Sequence, residues 1–502
     1  MDDRLQNRIG PHPLPDPEYA GELSLGRLQE LFERCGDFTI RRVEPGLAGE
    51  KTLAVCWLDG LVSGEAVAET VLRPLTAPER AAGQDAASWL RQALQGGVYA
   101  CSVQLRKSLD ELVRDLTHGC CALVFDSLGL ALSFETRSTQ TRAVSEPTLE
   151  KSLKGAKDSF VEELRPNTAL VRRRLATPRL KLVEGRVGRK SATRLALLYL
   201  EGVAEAKTVE AVARRLDALD LDALLATGAL EEALSDSPRS PFPQLIHTER
   251  PDRFAMHLSD GRIGLLVDGL PLGLVLPVSF AEFMKVTGDR STNFLVSSTL
   301  SVLRYLAFFL GLFLPALYVA TAMYHQEMLP TRLLLSIIEA KQNVPFSTAL
   351  EVLGMMISFT LLQEAGLRLP DPIGDTVSII GALIVGQAAV EAKLVSPIAI
   401  IVVATAGICC YTLPSQDLAA AVRLSSFAAL LSAVAAGFFG LGVFSCLLLW
   451  HLAGIDSFDR SYTAPLSESR PGALARVLFR RPFSALIFRD ALLRTTDRRR
   501  RT

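Results

Sequence analysis

Residues 370–414 read PDPIGDTVSIIGALIVGQAAVEAKLVSPIAIIVVATAGICCYTLP, two apolar segments separated by the polar break Glu391–Pro397. In the first segment Gly374, Ser378, Ala382 and Gly386 recur every four residues. On a helix this is a small-residue stripe that lets another backbone approach closely in lipid. Ile380, Ile384, Gln387 and Glu391 occupy a neighbouring face, which puts an amide and a carboxylate one turn apart. An ionisable group near a bilayer costs roughly 2–3 kcal/mol unless it faces protein or water. The stretch therefore predicts a membrane helix hairpin built to pack, with a polar face able to line a path.

The rest of the chain divides around that hairpin. Of the 502 residues 49% are apolar, and these concentrate after residue 293. The predicted class is an α/β soluble N-terminal half of two subdomains, followed by an α-helical polytopic membrane domain. Basic and acidic residues balance at 54 each, which offers nothing to nucleic acid. The eight cysteines include the vicinal pairs Cys120–Cys121 and Cys409–Cys410, without zinc spacing or a disulfide framework. The N-terminus is polar and proline-rich and has no apolar signal core.

Residues 1–22 read as a flexible lead. In 23–138, strands are expected at 37–44, 52–60, 101–105, 121–127 and 130–136, with helices at 64–73, 84–95 and 107–117. Residues 139–154 form a polar linker within the boundary of a second subdomain, 139–287. Here the pattern predicts a helix over 158–175, a hairpin over 179–204 and helices at 207–218 and 221–234. Three short strands follow at 253–261, 261–269 and 272–280.

Spans are expected near 305–323, 375–393, 396–413 and 424–452 within a transmembrane domain of 288–455, with 330–366 interfacial or re-entrant. The first covers about 28 Å as a helix. Lys285, Arg290 and Arg304 set its start in the cytoplasm, and the tail 456–502 carries 11 arginines against five acidic residues. Both ends inside require an even number of crossings, and four satisfy this. Residues 473–493 suit an amphipathic helix on the inner membrane surface, with docking on the soluble half as the alternative.

No enzyme constellation is present. The six histidines lack ligand spacing, and no GxGxxG, GxxxxGK[ST], nucleophile elbow or Ser-x-x-Lys occurs, so neither catalytic nor cofactor or metal sites are expected. The polar residues of the membrane half, Glu351, Glu364, Asp375, Gln387 and Glu391, are the candidates for a pore or for coupling. Each also has a structural reading, as a headgroup-level or paired residue; for Glu391 the partner would be Lys393 or Arg423 of a neighbour.

Several long runs carry a resemblance. Residues 146–175, 187–204, 236–277, 324–337, 344–353 and 363–415 resemble the A subunit of the GerA-type spore germination receptors. The resemblance implies a multi-pass subunit in the spore inner membrane, with its N-terminal domain and tail cytoplasmic. It also implies a homo-oligomeric channel that releases ions, working beside a transporter-like nutrient-binding subunit, a lipoprotein subunit and membrane lipid. A non-conducting scaffold that couples a nutrient receptor to cytoplasmic effectors is the alternative. The chain departs from the family pattern at Met356 and Thr360, where acidic residues are usual, at Gln363, usually arginine, and in KGAKDSF at 154–160.

Overall fold

The run LAVCWL at 53–58 forms a strand with five of its six residues buried, so it must lie inside a sheet. The structure, a computed structural model, describes residues 19, 21–43, 53–76, 90, 91, 94, 102–138, 147, 150, 154–342, 344–368, 386–467, 473–486 and 488–500. In the first subdomain β1 (Phe38–Val43), β2 (Leu53–Leu58), β3 (Val103–Arg106), β4 (Cys120–Phe125) and β5 (Leu130–Glu135) form an antiparallel sheet in the order β1-β2-β4-β5-β3. Helix α1 (Leu109–Thr117) covers it with Leu109, Leu112, Val113 and Leu116, the spacing of one helical face. The expected helix at 84–95 lies almost wholly outside the described residues.

The second subdomain repeats the scheme. Helix α2 (Leu164–Arg174) precedes β6 (Leu180–Val187) and β7 (Thr193–Leu200), the expected hairpin. With β8 (Ile246–Thr248), β9 (Ile263–Val267) and β10 (Gly273–Leu276) they form a second antiparallel sheet, ordered β6-β7-β9-β10-β8. The strand expected over 253–261 is instead helix α3 (Pro251–Ser259). Pro251 suits its first turn, and Phe254, Ala255 and Leu258 bury one helical face where a strand would have alternated. The Phe254 ring lies on the sheet directly over Gly264 and Gly273, where any Cβ would collide with it.

The subdomains are joined through their interiors. Gly36 N–H donates to Leu182 O at 2.7 Å and Leu182 N–H to Arg34 O at 3.1 Å, and the Arg172 guanidinium forks onto Asp37.

In the C-terminal half, α4 (Phe294–Met323) leads to α5 (Thr331–Lys341), α6 (Thr348–Arg368), α7 (Pro397–Tyr411) and α8 (Gln416–Ala453). Helices α4 and α8 are long and apolar enough to cross a membrane. Two expectations change here. The stretch expected as one span at 424–452 belongs to a helical pair: at Ala436 (φ −149°) and Gly437 (φ +59°, ψ −136°) the chain leaves helical geometry and turns back. Both ends of α8 then reach the soluble half, Asp417 at His247 (3.3 Å) and His451 at Ser240 (2.9 Å). The second change concerns 330–366, whose α6 portion packs inside the bundle. Glu351 meets Ser396 and Phe359 meets Gly407, so α6 runs alongside α7 in the same direction. Helix α4 runs opposite to both, with Gly311 against Cys410 and Val319 clustered with Ala399 and Val403. Apolar contact with α4 and α7 gives α6 a burial that its charged ends concealed in the sequence.

The tail is docked on the second subdomain. Tyr462 is fully buried, Phe280 N–H donates to Tyr462 O, Arg460 pairs with Glu205 at 2.8 Å, and Arg489 Nε donates to Ser259 O at 3.0 Å. Among the described residues of 473–493 only Ala473–Leu478 is α-helical. The long surface helix expected from its arginine pattern gives way to short turns, with Arg489 bonded to Ser259 O of the second subdomain and Arg480 to Thr292 O just before α4.

Candidate functional site

Helices α4, α6, α7 and α8 converge on two polar layers. The first forms where α6 and α7 begin. Ser396 caps α7, its Oγ accepting from Ala399 N–H at 3.3 Å. Its own N–H donates to Glu351 Oε2 at 3.0 Å. The Glu351 side chain is fully enclosed, and Lys341 Nζ stands 3.4 Å from its other oxygen as an ion contact without hydrogen-bond alignment. A carboxylate at a helix N-terminus is favoured by the unpaired amides there, and a lysine beside it offsets the cost of burial. Lys341 also donates to Thr348 Oγ1, which closes the α5–α6 corner.

The second layer lies nearer the soluble half. There a cavity of about 40 Å³ is bounded by Met356, Thr360, Gln363, Cys410, Arg423 and Ser426, with apolar walls from the same helices. Arg423 Nη1 donates to Gln363 Oε1 across α8 and α6. The three positions where the chain departs from the family pattern, Met356, Thr360 and Gln363, thus face one space. Thr360 Oγ1 is occupied within its own helix, donating to Met356 O at 2.8 Å.

The remaining predicted residues fall elsewhere. Gln387 and Glu391 are exposed on the short helical turn before α7, and Glu364 is exposed on α6. Gly386 is buried, with Ile400 3.9 Å from where its Cβ would lie. Asp375, Gly374, Ser378 and Ala382 lie outside the described residues. The structure brings Glu351 together with Lys341 and Ser396, and places Gln387 and Glu391 apart from them.

A third contact links the halves. His247 on β8 lies 3.3 Å from Asp417 and 2.6 Å from Glu231. Burial alone would lower its pKa, but the two carboxylates outweigh burial and push it up to about 9. The imidazolium is therefore the charged form that ties α8 to the sheet.

Comparison with known proteins identifies the chain. Residues 26–492 match the family model described as Bacillus/Clostridium GerA spore germination protein. The chain belongs to the GerA family. GerA-type relatives include spore germination protein KA of Bacillus subtilis strain 168, 34% identical over 89% of this chain and 82% of that one. Spore germination protein GerLA of Bacillus cereus is 31% identical over 94% and 95%. An uncharacterized membrane protein of B. subtilis, YfkQ, is 35% identical over 92% and 88%. Among solved structures, the N-terminal domain of the A subunit of the Bacillus megaterium spore germinant receptor GerK3 aligns over 52% of this chain and 97% of its own, at 28% identity and TM-score 0.41.

Within this GerA chain, sequence reasoning passed over Lys341, Ser396, Ser426 and His247. Ser-Pro before an apolar run is a legible helix start, and it marks Ser396. Nothing local marks His247, whose two partners lie 16 and 170 residues away in sequence.

Proposed function

We propose that this chain is the A-type membrane subunit of a nutrient germinant receptor of spores, a non-enzymatic protein without a cofactor. It assembles with copies of itself, and with a nutrient-binding and a lipoprotein subunit, into an ion-conducting complex in the spore inner membrane. The family match across 26–492 carries this reading. The soluble half and docked tail share one face of the bundle, which suits two termini on the cytoplasmic side. The cavity among the four helices of one chain is small, about 40 Å³, which favours a conducting path formed between chains. Gln387 and Glu391, exposed on the turn before α7, are available to such a path, and an exposed carboxylate ring favours cations.

Purified complex reconstituted in bilayers tests the reading: conductance is expected, reduced or changed in ion preference by Glu391→Gln while complex size holds. Gly386→Leu is expected to reduce complex size. A complex that binds its partner subunits and conducts nothing supports the alternative, a scaffold that passes a conformational signal to the cytoplasm. The His247–Asp417 and Ser240–His451 contacts that join the soluble half to α8 favour this second reading.

A further inference from the structure

The cavity beside Arg423 has a chemistry that the channel reading does not use. Among the described residues, three polar side chains on its boundary, Gln363, Arg423 and Ser426, can donate. Gln363 gives its carbonyl oxygen to Arg423, which leaves its side-chain NH2 free to donate. Arg423 keeps Nε and Nη2, and among the described residues no carboxylate pairs with it. Ser426 is 2% exposed and its Oγ has no hydrogen-bond partner, although it borders the same space. Among the described residues, neither Asp nor Glu contributes to the boundary.

A guanidinium in an apolar bundle is costly unless an opposite charge meets it. Water needs roughly 10–15 Å³ of such space, so a volume of about 40 Å³ admits a few waters or one halide. Waters would satisfy the Ser426 hydroxyl but leave the charge of Arg423 uncompensated. Cations are repelled by the same guanidinium. We propose that this cavity is a binding site for a small monovalent anion, chloride or bromide in class, held by Arg423, the Gln363 amide and the Ser426 hydroxyl. The anion ties α6 to α8 about 9 Å along the helix from Asp417, at the end of the bundle next to the soluble half.

The test uses the full-length protein in detergent at fixed ionic strength, with gluconate replaced stepwise by chloride or bromide. Thermal stability of the native protein is expected to rise saturably with halide. Ser426→Ala, which removes one hydrogen bond to a charged ligand, is expected to raise the half-saturating concentration about tenfold or more. Arg423→Gln, checked for folding by circular dichroism, is expected to lose the halide response. Native protein equally stable in gluconate and halide would overturn the proposal. So would a halide response left unchanged by Ser426→Ala, because the anion would then be bound elsewhere.

Discussion

Arg172 of the second subdomain grips Asp37 of the first through two side-by-side hydrogen bonds of 2.7 and 2.9 Å, and both side chains are shut off from solvent. Nη1 donates to Thr177 O at 3.1 Å and to Leu180 O at 2.8 Å, so every guanidinium nitrogen has a partner. Two sheets that each have their own core are thereby locked into one body.

Breaking that pair from one side should therefore be severe. Asp37→Asn or Arg172→Met is expected to cost about 3–5 kcal/mol, since the partner remains buried and charged. The double variant Asp37→Leu/Arg172→Met should recover much of the loss. Denaturant unfolding of the four proteins measures this; equal losses in the singles and the double would mean that packing, and not charge, holds the joint.

The His247 contact predicts a pH dependence. Its folded pKa, about 9, lies above the ordinary 6.5. The stabilisation is thus fully present below about pH 6.5 and is lost as pH rises through 9. Thermal midpoints between pH 6.5 and 9.5 should fall more steeply for native protein than for His247→Gln. Parallel curves would show that His247 does not carry the effect.

The reversal in α8 requires glycine at Gly440, where a Cβ would collide with the Ser432 carbonyl, and at Gly437. Gly437 combines a positive φ with Tyr324 and His325 atoms 3.0 Å from where a Cβ would lie. Gly437→Ala is expected to cost about 1–3 kcal/mol through backbone strain, before any clash is counted. Gly442→Ala meets nothing within 4 Å and should be close to neutral. Comparing thermal midpoints in detergent decides it; similar small effects at both sites would contradict a tight turn at 437.

Glu351 should behave as a structural anchor. Glu351→Ala strands the Ser396 N–H and removes the charge facing Lys341, and a loss of about 1.5–3 kcal/mol is expected. Glu351→Gln keeps an acceptor for Ser396 and should lose less. If both variants keep native stability and lose only conductance, the enclosed carboxylate acts on ions rather than on helix packing.

The division of the chain into an α/β half and a helical half was legible from residues 52–60, 121–136 and 396–413, because burial on one side or all round leaves a periodic or continuous apolar run. The first arm expected at 375–393 lies mostly outside the described residues. The hairpin 179–204 and the start of α7 at Ser396–Pro397 were legible for the same local reason. Local pattern misled at 253–261, where Phe254, Ala255 and Leu258 fit a helix face but the Asp260–Gly261 turn that follows suggested a strand. It also misled in the tail, whose arginines resemble a membrane-surface pattern until Glu205 and Ser259 O are seen to receive Arg460 and Arg489.

By itself the sequence determined which segments are apolar and where helices can start, since these depend on neighbours a few residues apart. Only the tertiary structure decided that α8 doubles back, that α6 lies alongside α7, and that Glu351, Arg423 and His247 find Ser396, Gln363 and Asp417. Those partners are 45, 60 and 170 residues away in sequence. Whether a buried charge is a site or a brace depends on what the fold brings to it, and no local pattern encodes that.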